Sequence, residues 1–252
     1  MRFILSLVFL VTVLVHPAAA VERRCAATNA TVNADSAYDA ELACAGAADA
    51  VAFLARQGFT VDTVMRIDVL DSVFLHTSDS PSFRILGQFD AKQNRIKVTS
   101  IAGQREMAKE KPIFGVPYDV ALFRSVVAHE VAHAIAEDNF RVEEPTRMAH
   151  EYIASIVQMA IMPPRLSQQI FESTPGEAFE SELEINPLIY WLNPNLFAVK
   201  AYRHYLSPGV GMTFLQTLLN RDLMSIFPRW EDSVSRDPLA DVQLANRSSD
   251  RR

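Results

Sequence analysis

The stretch Val126-Val127-Ala128-His129-Glu130-Val131-Ala132-His133-Ala134-Ile135 decides how the rest of the chain is read. It is apolar apart from two histidines and one glutamate, and no proline interrupts it. Positions four apart share one face of a helix, so His129 and His133 can point at a single metal ion. Glu130 follows the first of them, where its carboxylate can serve as general base on an activated water. Zinc takes nitrogen, sulfur or oxygen donors and, at a catalytic site, keeps one position open for water. Chance produces H-E-x-x-H in roughly one chain in a hundred of this size and composition. The apolar setting narrows that further, because a buried glutamate without a partner is costly. A helix whose histidines merely satisfy core hydrogen bonds would not explain it. One zinc ion per chain is therefore expected, on His129 and His133, with Glu130 as the catalytic residue.

Working outward, Asp119 is placed to cap this helix, which should run to about residue 138. Pro145 suits the start of a second helix, which ends before Pro163-Pro164. Shorter helices are expected over 165–173, 195–205 and 212–219. Upstream, a loop holds Pro112, Gly115 and Pro117. Residues 83–89 and 95–101 read as a hairpin turning through 90–94, and residues 61–75 as one or two strands. An alanine-rich helix over 45–57 closes at Gly58. A small antiparallel sheet with an N-terminal helix, followed by a helix-rich region carrying the H-E-x-x-H segment, is an α+β arrangement.

The 252 residues are 49% hydrophobic, enough for one sizeable core, and residues 21–252 are expected to form a single domain. Lys and Arg number 24 against 30 Asp and Glu, a net charge of -6. No basic stripe could follow a phosphate backbone, so nucleic acid is excluded as a partner. Arg2, an apolar run from Phe3 to Val15, and Ala18-Ala19-Ala20 have the layout of a secretory signal peptide over residues 1–20. Cleavage before Val21 would leave no segment able to insert stably in a membrane, and the mature chain would be secreted or periplasmic. Cys25 and Cys44 are the only cysteines, and an isolated pair in an oxidising compartment most simply forms one disulfide. Asn246 to Arg252 form a polar tail.

His129-Glu130-Val131-Ala132-His133 in this apolar setting resembles the active helix of the zincin metallopeptidases. The metzincin branch continues with a glycine and a third histidine, where this chain has Ala136 and Asn139, so that branch is excluded. The gluzincin branch takes its third ligand from a glutamate on a following helix, and Glu151 lies 18 positions past His133. The resemblance covers about residues 83 to 160. Beyond it, the chain is similar to a family of secreted bacterial proteins without an assigned activity. His150 competes with Glu151 for the third-ligand role, but adjacent helical side chains point about 100° apart, so only one can face the metal. Glu151 shares its face with Ser155 and Gln158, which could hold its carboxylate, whereas His150 shares its face with Ala154, Val157 and Ile161. Glu143 and Glu144 are more distant candidates.

The resemblance implies hydrolysis of a peptide or protein substrate, with the hairpin offering an edge strand to an extended chain. It also implies a donor to the developing oxyanion. His204 and Tyr202 are the candidates, with Tyr152 and Tyr190 behind them, and Trp191, Phe197 and Phe214 are read as core. The rival reading is a non-catalytic zinc-binding module of zincin-like fold. Glu130 favours the enzyme, since a structural zinc would want a fourth protein ligand and has no use for a base.

Overall fold

A computed structural model describes residues 20–77 and 80–223. The expected cleavage site, within residues 18–20, falls almost wholly outside them, as do the rest of the signal segment and the tail at 246–252. Strands β1 (Val21–Arg24), β2 (Ala30–Ala34), β3 (Met65–Leu70), β6 (Gly87–Asp90) and β7 (Arg95–Thr99) form one sheet in the order β1-β2-β3-β7-β6. Strands β4 (Val73–Thr77) and β5 (Ser80–Ile85) form a separate antiparallel pair. Helices α1 (Ala37–Arg56), α2 (Ile101–Glu110), α3 (Val120–Asn139), α4 (Arg147–Ala160), α5 (Pro164–Ser173), α6 (Pro187–Leu192), α7 (Pro194–Leu206) and α8 (Gly211–Asn220) make up most of the remainder. The α+β arrangement, a sheet with an N-terminal helix followed by a helix-rich region, is present.

The larger sheet carries parallel as well as antiparallel ladders. β1–β2 and β6–β7 are antiparallel hairpin pairs, while β2–β3 and β3–β7 run parallel. The β2–β3 pair is parallel because α1 carries the chain across between them, and the β3–β7 pair because β4, β5 and β6 intervene and return the chain in the same direction. Alternation then sorts the two faces. Ala30, Val32, Ala34, Met65, Ile67, Val69, Ile96 and Val98 are buried on the face against α1 and α3. On the opposite face Asp68 accepts a 3.0 Å hydrogen bond from Asn33 and pairs with Arg95. Burial raises the Asp68 pKa, but these two partners outweigh it and hold the carboxyl low.

Several expected boundaries shift. The helix expected over 45–57 starts eight residues earlier, where Ser36 accepts from the Asp39 amide as its cap. Cys44 therefore sits inside α1, bonded to Cys25 at the end of β1 with 5.1 Å between Cα atoms. Segment 83–89 does not form one strand of a hairpin. It breaks at Leu86, so β5 pairs with β4 and β6 pairs with β7. Thr99 holds that junction, its hydroxyl donating to the Ile85 carbonyl and accepting from the Val73 amide. The turn falls as expected at Asp90 to Asn94, with Asn94 in the left-handed region. α2 and α6 were not anticipated. Trp191, read as core, is 52% exposed on α6, whereas Phe197 is fully buried.

α3 is buried on nearly all sides, because α1, α4 and the sheet surround it. The Asp119 carboxylate caps it, accepting from the Ala121 and Leu122 amides at 2.9 and 3.1 Å. Gly46 lets α1 cross it closely: a Cβ there would lie 2.6 Å from the Arg124 carbonyl oxygen. Arg124 also pairs with Asp49 of α1. α4 begins with Thr146 as its cap, two residues inside the expected start, and packs on α3 and α7. No helix among the described residues is long and apolar enough to cross a membrane.

Candidate metal centre

Two packed helices and one strand build the centre. α3 presents His129 and His133 one turn apart, and their Nε2 atoms approach to 3.1 Å. α4 crosses beside them and brings up the Glu151 carboxylate, with Oε2 3.5 Å from His129 Nε2 and 3.8 Å from His133 Nε2. Oε2 is buried and has no hydrogen-bond partner, and an unpaired buried carboxylate oxygen carries a large desolvation cost. Its other oxygen is 3.3 Å from Arg147 Nε, one turn back on α4. Among the described residues, His129, His133 and Glu151 form the group of side chains able to hold a metal ion.

The electrostatics follow from this crowding. Burial pushes the His133 imidazole down to about 3, with Glu151 opposing, so it stands neutral with a lone pair to give. His129 is pulled the other way: burial lowers it, but Glu151 and Glu130 outweigh that and raise it. Burial would raise Glu151, yet the two imidazoles and Arg147 hold it well below the usual carboxylate range. Glu130 is also buried, and points beside the trio towards β6. Burial is the main cause that lifts its pKa to about 7, with Glu151 adding to the rise, while His129 and the Phe89 amide oppose it.

The remaining candidates separate clearly. His150 lies beside the trio, its ring centroid 5.9 Å from that of His133, but its Nε2 is committed elsewhere. It lies 3.4 Å from Glu137, the ring packs on Phe140, and burial lowers its pKa to about 4. Glu143 and Glu144 lie on the exposed loop between the helices. Gln158, expected beside the Glu151 carboxylate, instead reaches Ser125 at 3.5 Å and raises the pKa of His129. The Ser125 hydroxyl donates to the Leu122 carbonyl, so the Gln158 NH2 faces Ser125 and its carbonyl can accept from His129 Nδ1, which is buried and makes no hydrogen bond of normal length.

His204 and Tyr202 lie elsewhere. His204 Nδ1 is 2.6 Å from the Tyr152 hydroxyl, and Tyr202 stacks between Phe171 and Tyr205. Tyr190 is the tyrosine that reaches the centre. Its phenol is raised first by burial and then by the charges of Glu151 and Glu130, and Arg147 lies 5.4 Å over its ring. Arg147 was legible in principle, being four residues before Glu151 on one helix face. Tyr190 stood only behind His204 and Tyr202 as a candidate, because its approach depends on where α6 packs.

Fold and site thus define an α+β protein with a buried two-histidine, one-glutamate cluster where two helices cross. The chain belongs to a family of unknown function, DUF6639, which matches residues 30–226 and so takes in the whole of this centre. No curated protein and no solved structure matches it.

Proposed function

We propose that this protein is an exported zinc-dependent metallohydrolase of gluzincin type that cleaves peptide bonds. The convergence of His129 Nε2, His133 Nε2 and the orphaned Glu151 Oε2 carries this reading. Tetrahedral zinc with bonds of about 2.0–2.2 Å spaces its ligand atoms by about 3.3–3.6 Å. The separations of 3.1, 3.5 and 3.8 Å lie around that range. The Cys25–Cys44 disulfide supports an oxidising compartment.

His129, His133 and Glu151 would hold zinc, which would supply a Lewis acid and bring the pKa of a water towards neutrality. Glu130 is placed to accept a proton from the attacking water and to return it to the departing amine. Tyr190 stays protonated, so its hydroxyl can donate to the oxyanion that develops on the substrate. Arg147 holds the outer oxygen of Glu151 and leaves the inner one for the metal. β6, at the end of the sheet and against α3, offers its open edge to an extended peptide.

The test is metal content and peptide hydrolysis measured on the same preparation. One zinc per chain is expected, with cleavage of a broad peptide library that stops on chelation and returns with zinc. Protein that binds no zinc on titration would sink the proposal. Zinc-loaded protein that cleaves nothing would leave the non-catalytic binding module in its place. Gln158→Leu is expected to weaken zinc by about 10- to 100-fold, the usual cost of losing a group that orients a ligand. An unchanged zinc affinity in a competition titration would remove Gln158 from that role.

A further inference from the structure

Glycines at three places in this fold allow a close approach. At Gly46 an added Cβ would meet the Arg124 carbonyl oxygen, and at Gly103 the Asp71 carbonyl oxygen at 2.3 Å, so backbone packs on backbone at both. Gly87, the first residue of β6, is different. A Cβ there would lie 2.7 Å from Glu130 Cγ, 2.7 Å from Glu130 Oε1 and 2.9 Å from Glu130 Cδ. Carbon atoms at rest keep about 3.5–4.0 Å apart, so a methyl group at residue 87 and the Glu130 carboxylate cannot both occupy this space. Nor is glycine required by the backbone, because Gly87 is not among the residues with positive φ. A glycine in a strand ordinarily weakens it, and its presence often marks a close approach.

We infer that Gly87 is a positioning residue for Glu130: the side chain missing from β6 is the slot in which the Glu130 carboxylate rests. β6 thus supplies the space for that carboxylate. Glu130 enters the slot from α3. A bulkier residue at 87 displaces the base while leaving the metal ligands in place. The inference rests on Glu130 being the base, and its steric half can be tested without that assignment.

The experiment places Gly87→Ala in wild type and in Glu130→Ala, and follows urea unfolding, zinc per chain and peptide turnover. In wild type, Gly87→Ala is expected to lower kcat by about a hundredfold, the scale of a misplacement of about 1 Å, with zinc content and KM retained. It should also lower the urea midpoint. In the Glu130→Ala protein the vacated space takes the methyl group, so the same substitution should leave the midpoint unchanged or raise it. An equal fall in both backgrounds would show that Gly87 serves strand packing alone and would overturn the inference. So would full turnover by Gly87→Ala. If wild type hydrolyses nothing, the assignment of Glu130 as base fails, and the two unfolding midpoints still decide whether Gly87 and Glu130 share one space.

Discussion

Glu130→Gln is expected to lower peptide hydrolysis by about a hundredfold or more, the scale of losing a positioned general base, while one zinc per chain is retained. The substitution keeps size and shape. What it removes is the ability to take a proton. Stability should not suffer. Burial and the neighbouring Glu151 raise the Glu130 pKa from 4.5 to about 7. A carboxyl group raised in the folded state costs stability as pH rises through its unfolded value, and the full cost is reached above about pH 7. Removing the ionisable group should leave the metal-free protein at least as stable above neutral pH. Activity, zinc content and thermal unfolding measured together separate the outcomes. Equal cleavage by both proteins would point to a contaminating protease, and zinc lost with activity would make Glu130 a structural residue.

Glu151→Ala is expected to weaken zinc by more than about a hundredfold, beyond the range seen when only an orienting group is lost. His150→Ala should leave zinc binding near its starting value. Only Glu151 brings an unpartnered oxygen to the two imidazoles, while His150, though its ring packs beside His133, has its Nε2 engaged with Glu137 and its ring on Phe140. Competition titration against a chromogenic chelator reads both variants on one scale. The reverse ranking would make this a three-histidine centre and would remove the gluzincin assignment.

Sequence reasoning reached furthest where geometry is local. The i,i+4 placement of His129 and His133, the Asp119 cap and the stop at Pro163-Pro164 follow from backbone rules spanning one or two turns. The Cys25–Cys44 pairing was legible because no other partner existed. Boundaries failed where longer-range partners overrode the local pattern. The run from 83 to 89 looks continuous, yet it divides at Leu86 because Thr99 ties its first half to β4 and β7 claims its second. β1 and β2 were missed because Val21–Arg24 and Ala30–Ala34 are short, and lone short strands carry little periodic signal.

By itself, then, the sequence determined a helix able to offer two imidazoles and a carboxylate, a disulfide, and a sheet region followed by a helix-rich one. The first and last depend on neighbours in the chain, whose relative positions a helical or extended backbone already dictates, and the disulfide follows from there being only two cysteines. Tertiary structure alone decided the rest: the parallel β2–β3–β7 ladder, Tyr190 rather than His204 or Tyr202 beside the centre, and Gly87 against Glu130. Glu151 and His150 differ by one residue and about 100° of helix rotation. Which of them meets His129 is set by how Tyr152, Ile153 and Ile156 seat α4 in the core. Such contacts join segments far apart in the chain, so they form only when whole surfaces pack, and no local pattern of residue types encodes them.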